Sequence, residues 1–127
     1  MRSQRDHAGS TTETVAAKAA WPGQALLDEV VRRIVEVARP DRIILFGSAA
    51  RGEAGPDSDL DLLVVKSGVA HARRLEGEIY VNMFGLGVSV DIVVVAPEDL
   101  VAFRHKVGSI IRPALRDGRE IYVAGAA

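Results

Sequence analysis

The sequence predicts one domain of the α/β or α+β class, with helices packed on a central β-sheet. Three observations predict it. Helical and strand-like patterns alternate along the chain, apolar residues make up 48% of it, and its 127 residues are about the length of one domain. Because such a chain can bury a substantial core, the composition excludes wholesale disorder.

The composition also limits the classes of function. The 16 Lys and Arg residues nearly balance the 17 Asp and Glu residues, for a net charge of −1, which argues against a surface that follows nucleic acid or anionic lipid throughout. There is no cysteine, which excludes disulfides and thiolate metal sites. The longest apolar runs are far shorter than the roughly 18 residues of a membrane span, and residues 1–10 hold no apolar stretch that could serve as a signal peptide. We therefore expect no membrane association and a cytoplasmic location.

The chain divides into residues 1–22, predicted to be a flexible tail, and residues 23–127, predicted to be the folded domain. Outside alanine, the only apolar residues of the first segment are Met1, Val15 and Trp21. Such a segment buries too little surface to offset the entropy of ordering. A short helix over residues 14–20, docked by Trp21, is the alternative.

Within the domain, each element is predicted from its pattern of apolar residues. Apolar residues recur at helical spacing from Gln24 until Pro40 ends the helix. Pro97 and the two acids after it are typical of a helix start, and Gly118 of a helix end. The predicted elements are a helix over 24–39, a strand over 42–46, a strand over 59–65, a helix over 70–84, a strand over 88–95, a helix from 97, a helix over 110–116 and a strand over 120–123.

Gly47 and Ser48 follow the first strand and precede a stretch that can form a helix. A glycine at this position lets the backbone approach a ligand closely. The free N–H groups at a helix start attract anions such as phosphate, and Ser48 adds a hydroxyl. The same letters also fit a tight turn with Ser48 as the helix cap.

Asp59 and Asp61 alternate along the start of the second strand, so their carboxylates are predicted to project from one face. Two like charges side by side repel one another unless a cation lies between them. Asp59 alone could cap the preceding turn. That reading leaves Asp61 unexplained, because apolar strand residues follow it.

Asp91 lies in an otherwise apolar strand, where a buried acid must be paired or bound to a metal. A salt bridge with an arginine would explain Asp91 by itself. If its strand lies beside the strand of Asp61, three carboxylates converge. Oxygen-only clusters favour Mg²⁺ or Mn²⁺ over zinc, and pairs of such ions about 4 Å apart serve in-line nucleotidyl displacement.

Two other motifs, one for phosphate and one for calcium, do not match the sequence. A Walker A loop needs Lys and Ser or Thr after its second glycine, but Glu53 and Ala54 follow Gly52. An EF-hand loop that started at Asp57 would need Gly and Glu where Leu62 and Gly68 stand.

The Gly47-Ser48 pair, ten intervening residues, Asp59-Leu60-Asp61 and the later Asp91 resemble the signature of the DNA polymerase β-like nucleotidyltransferase superfamily. The stretch FGSAARG with the following SDLDLLV most resembles its minimal nucleotidyltransferases, and the resemblance covers about residues 24–123. It implies a mixed β-sheet with helices packed mainly on one face.

The resemblance also implies the chemistry, namely Mg²⁺-dependent transfer of AMP from ATP to an acceptor. It implies a catalytic and metal-binding role, with two ions, for Asp59, Asp61 and Asp91. It implies nucleotide binding by Gly47 and Ser48, and by Arg51, which matches the Ala-Arg-Gly segment of the family.

Minimal nucleotidyltransferases are often encoded beside a helical HEPN protein, so the resemblance implies an antitoxin that modifies a hydroxyl, expected to be a tyrosine, of a HEPN-type toxin. Nucleic acid is not expected as a direct substrate. The residues after Ala96 must complete the core, which is expected to leave little room for an acceptor pocket. Two alternatives remain, a transferase for small molecules such as aminoglycosides and an inactive pseudoenzyme that only binds its partner.

Two basic clusters, Arg73-Arg74 and Arg104-His105-Lys106, could contact phosphates or RNA, or could be solvated surface. The three histidines have no ligand spacing.

Overall fold

The computed structural model describes residues 21–125, so the predicted tail up to residue 20 lies outside the described residues. Trp21, the first described residue, is half-buried and packs against the core. Residues 21–125 form five helices and four strands. In chain order the elements are α1 (Gln24–Ala38), β1 (Arg42–Phe46), α2 (Gly47–Ala50), β2 (Leu60–Val65), α3 (Ala72–Asn82), β3 (Val90–Val95), α4 (Pro97–Phe103), α5 (Ile111–Asp117) and β4 (Arg119–Val123).

The four strands form one mixed sheet in the order β3-β2-β1-β4, which confirms the predicted fold class. β1 is antiparallel to β2 and to β4, whereas β2 and β3 run parallel and are joined through α3. The register places Asp61 of β2 between Phe46 of β1 and Asp91 of β3. The two acids predicted on separate strands are therefore direct neighbours in the sheet.

The larger core lies on the face covered by α1 and α3. The buried residues of α1 recur three to four positions apart, which directs one stripe of the helix towards the sheet. That stripe and the strand residues beneath it are almost fully shielded from solvent. The buried residues of this core are Leu27, Val30, Ile34, Ala38, Ile43, Leu45, Ala49, Leu60, Leu62, Val64, Ile79, Met83, Ile92 and Val94.

The opposite face carries a smaller core under the two short helices α4 and α5. Its buried residues are Ile44, Phe46, Leu63, Val65, Leu100, Ile111 and Ala114. The strand residues of this core alternate with those of the larger core, as the pleat of a β-strand requires. Asp61 and Asp91 share this second face by the same alternation.

Some boundaries differ from the predicted ones. β2 begins at Leu60 and β3 at Val90, because the ladder between them starts where the Leu60 N–H donates to the Ser89 carbonyl, at 3.0 Å. α3 ends at Asn82, beyond which Met83 and Phe84 donate to carbonyls only three residues back, and Gly85 has a positive φ. No helix in residues 21–125 is long and apolar enough to cross a membrane.

Candidate active site

The electrostatics of Asp61 show that the predicted acids lie together. The pKa of Asp61 is raised above its ordinary value, first by burial and then by the negative charges of Asp91 and Asp59. Asp59 lies two residues before Asp61, just ahead of β2, and is exposed. The structure therefore places Asp61 directly beside Asp91 at one end of β2 and β3, and Asp59 is close enough for its charge to act on Asp61.

Gly47 lies against the carboxylate of Asp61. It follows Phe46, the β1 residue that pairs with Asp61, and its φ of +73° is one that side-chain-bearing residues rarely adopt. A Cβ atom on Gly47 would lie 3.2 Å from the Asp61 Cγ and closer still to Oδ2. Glycine is thus required here both by the backbone conformation and by the approach of the acid.

Ser48 and Arg51 extend the site from this turn. The turn is closed by the Glu53 N–H, which donates to the Ser48 carbonyl at 2.9 Å, and Ser48 is half-buried. The Arg51 Nε pairs with the Glu53 Oε1 at 3.0 Å on the surface. Arg51 ends α2, which contacts both β2 and α5, and its positive charge offsets part of the rise in the pKa of Asp61. The predicted nucleotide-binding residues are therefore adjacent to the acids.

Asp91 differs from the prediction in its burial. The sequence predicts a buried acid in an apolar strand, but the side chain of Asp91 is exposed. β3 is an edge strand of the sheet, and Asp91 near its start is open to solvent. Within residues 21–125 Asp91 forms no ion pair, so the alternative of a salt bridge with arginine finds no support there. The convergence with Asp61 is confirmed by the strand register.

Tyr80 and Glu76 of α3 bind the edge strand β3, a role that the sequence did not indicate for either residue. The Tyr80 hydroxyl accepts a hydrogen bond from the Ile92 N–H at 2.8 Å, and the Glu76 Oε2 accepts one from the Val94 N–H at 2.9 Å. These N–H groups are on the outer edge of the sheet, where they would otherwise lack strand partners. The two side chains lie one helical turn apart on α3, a spacing visible in the sequence, although the letters do not reveal which strand they contact.

The donor set fits a hard divalent cation. Its charged groups are all carboxylates, and the crowding that raises the pKa of Asp61 is repulsion that a cation would relieve. In residues 21–125, no three His, Cys, Asp or Glu side chains form a ready-made cage for a metal ion. Mg²⁺ is commonly held by only one or two carboxylates, with phosphate oxygens and water completing the shell. The arrangement thus suits a cation that arrives with a nucleotide.

Comparison with known proteins agrees with this geometry. The sequence model of one family, described as a nucleotidyltransferase domain, matches residues 26–117, which include every residue of the site described above. No curated protein matches the chain.

Three solved structures share the fold. A protein of Sulfolobus solfataricus assigned as a nucleotidyltransferase is 20% identical, with a TM-score of 0.56 and 79% of each chain covered. A mutant of the toxin–antitoxin MntA-HpeT is 15% identical, with a TM-score of 0.57, over 78% of this chain and 74% of that one. A toxin–antitoxin with AMP-PNP is 17% identical, with a TM-score of 0.50, over 76% and 73% of the two chains.

Proposed function

This chain belongs to the nucleotidyltransferase domain family, and from that premise we propose that it transfers AMP from ATP to a hydroxyl group of a helical partner protein. The observation that carries the proposal is the contact of Gly47 with Asp61, beside the charges of Asp59 and Asp91. A phosphate that approached the backbone at this glycine would lie next to the carboxylates that hold its metal ions.

In the proposed reaction, Gly47, Ser48 and Arg51 bind the triphosphate, and Asp59, Asp61 and Asp91 hold two Mg²⁺ ions. When bound, these ions would offset the charge of the phosphates and of the leaving group. The backbone at Gly47 admits the phosphate chain because no side chain stands there. Arg51 contributes a permanent positive charge that acts on Asp61.

The acceptor oxygen attacks the α-phosphorus of ATP. The bond from this phosphorus to the oxygen that bridges to the β-phosphate breaks, and pyrophosphate leaves. The proton of the acceptor hydroxyl passes to a carboxylate, for which we assign Asp91. Its side chain is exposed on the edge strand, where an acceptor can reach it.

We propose that the acceptor is a tyrosine of a HEPN-type toxin, and that the chain acts as the antitoxin in the cytoplasm. Two observations support a protein acceptor. Asp59 and Asp91 are open to a large partner, and two structures with this fold are toxin–antitoxin proteins.

The proposal is tested by incubating the chain with ATP, Mg²⁺ and the helical product of its neighbouring gene, and measuring the mass of that product. We expect the partner to gain AMP on one tyrosine. Asp59→Asn should abolish the gain, whereas Asp57→Asn, the same change at an exposed acid of the same loop, should not. A partner that binds wild-type chain but gains no AMP would contradict transfer and favour the pseudoenzyme.

A further inference from the structure

A cavity of about 420 Å³ lies where the end of α4 meets α5. It is lined by Arg104, His105, Arg112, Leu115 and Arg116. The sequence identifies the first two as part of a basic cluster, and the fold adds two arginines that lie one turn apart on α5. None of these residues belongs to the carboxylate site or to the Gly47 turn.

The positive charge of this cavity is only partly neutralised. In residues 21–125, Arg104, His105 and Arg112 form no ion pair, and Arg116 pairs with Asp117 at 3.0 Å. No acidic residue occurs from residue 104 to 116, although the whole chain carries a net charge of −1. In the neighbouring turn of α4, the Asp99 carboxylate is engaged by the Ala96 N–H at 2.9 Å. The cavity is therefore a local concentration of cations in a nearly neutral protein.

We propose that this cavity binds the phosphate groups of a second ligand, separate from the nucleotide held at Gly47. Guanidinium groups bind phosphate and carboxylate oxygens in pairs. A carboxylate is planar and singly charged, so it satisfies one such fork, whereas a phosphate presents oxygens in three directions and carries more charge. Three arginines around one cavity thus fit a phosphate or polyphosphate better than an acidic side chain.

The size and position of the cavity support a specific site. Its volume lies within the range of small-molecule sites, about 300–1,000 Å³, and Leu115 supplies an apolar wall. It adjoins the candidate active site, because α5, which carries Arg112 and Arg116, contacts α2, the helix that begins at Gly47. The ligand would therefore be held beside the transfer site. The phosphate could be that of a free polyphosphate or nucleotide, or that of an RNA strand.

The test is a titration of the ¹⁵N-labelled full chain with pyrophosphate in EDTA, followed by NMR. Without divalent cations no transfer occurs, so the result does not depend on the proposed function. We expect saturable shifts of backbone signals in residues 104–116. The double variant Arg104→Gln/Arg112→Gln should weaken the affinity at least about tenfold, because two charged hydrogen bonds are lost.

Arg73→Gln/Arg74→Gln is the matched control, since it removes the same charge from exposed positions on α3. It should change the affinity less than about twofold, and circular dichroism checks that both variants fold. Parallel titrations with AMP and with a short oligoribonucleotide separate the two phosphate sources. The compound that represents the true source should bind wild type more tightly than pyrophosphate does. Its affinity should fall in the variant Arg104→Gln/Arg112→Gln.

Three results would overturn the proposal. Shifts confined to residues 47–51 would place all phosphate binding at the candidate active site. Equal weakening in the two double variants would indicate attraction by net charge alone. A glutamate-rich peptide that bound residues 104–116 more tightly than every phosphate compound would identify a carboxylate site instead.

Discussion

The two faces of the sheet are built from the same strands, yet one is closed and the other carries the candidate active site. Along β2, Leu62 and Val64 face the long helices α1 and α3, whereas Asp61 and Leu63 face the short helices α4 and α5. Leu62 and Leu63 are both fully buried. One residue earlier, Asp61 is only partly covered.

Neighbouring residues of one strand therefore contribute either to the stability of the core or to the candidate active site. The closed face holds the larger core, and burial of apolar surface there supplies the greater share of the hydrophobic stabilisation. The other face can hold crowded carboxylates at the strand ends because the closed face offsets their repulsion. Substitutions at neighbouring positions of β2 should therefore have opposite consequences.

The largest effect is expected for Asp61→Asn, which should reduce AMP transfer at least about a thousandfold, comparable to the loss of a group that stabilises transition-state charge. The metal-free protein should be at least as stable as wild type, because one of three crowded negative charges is removed. Transfer rates measure the loss of activity, and urea unfolding in EDTA measures the stability of the metal-free protein. Asp61→Asn with wild-type transfer in saturating Mg²⁺ would remove Asp61 from the site.

Leu62→Ala should lower the free energy of unfolding by about 2–5 kcal/mol, since it leaves a cavity in the larger core. Leu63→Ala, an equally buried leucine on the other face, should cost less, because the smaller core lies under short helices that can shift towards the gap. Urea denaturation of both variants measures the difference. If Leu63→Ala cost more, the stability of this protein would not be concentrated on the closed face.

Gly47→Ala should weaken nucleotide binding and cost more stability than the backbone strain alone, about 1 kcal/mol, because the new Cβ meets the Asp61 carboxylate. Gly52→Ala is the matched control, since Gly52 has a φ of +75° and its Cβ would meet no atom within 4 Å. Thermal unfolding and nucleotide titration of both variants separate the effect of the contact with Asp61 from the effect of backbone strain. Equal effects of the two substitutions would mean that the approach of Asp61 to Gly47 does not matter.

The pH dependence of stability should differ in sign between the faces, with a smaller effect than the substitutions above. The pKa of Asp61 is raised in the folded protein, so its contribution favours folding at low pH and is lost as the pH rises through that pKa. Glu29 of α1 behaves oppositely. Hydrogen bonds from Arg32 and Arg33 lower its pKa from 4.5 to about 2, so its contribution is present above pH 4.5 and is lost as the pH falls towards 2.

Urea unfolding in EDTA between pH 3 and pH 7 tests this contrast. Relative to wild type, Asp61→Asn should gain stability as the pH rises, and Glu29→Gln should lose it. Parallel curves for Asp61→Asn and wild type would show that neither burial nor the charges of Asp91 and Asp59 raise the pKa of Asp61.

The helices and strands were predictable from the sequence wherever the local pattern of apolar residues agrees with the packing in the structure. The periodicity of α1, the apolar runs of β1 and β2 and the proline at the start of α4 depend only on neighbours in the sequence. The ends of α3 and the starts of β2 and β3 were less predictable, because they depend on which carbonyl each N–H finds across the sheet. Asp91 illustrates the limit, since its place beside Asp61 depended on a strand order that the sequence left open, and its exposure follows from the edge position of β3.

The cavity at α4 and α5 shows the same limit for binding sites. The residues after Ala96 are predicted to leave little room for an acceptor pocket, yet Arg104, Arg112 and Arg116 line a cavity of about 420 Å³. Arg104 and Arg112 are eight residues apart, and their convergence depends on the angle between two short helices. No local pattern encodes that angle.

The sequence by itself predicted the candidate site, because the spacing of Gly47, Ser48, Asp59 and Asp61 depends only on a turn and on the start of one strand. The tertiary structure alone decided that β3 lies parallel to β2, which brings Asp91 to Asp61, and that α5 packs beside α4, which gathers the arginines. Side chains from distant segments meet only when the core beneath them packs, and that packing minimises the exposed apolar surface of the whole chain rather than of any one segment.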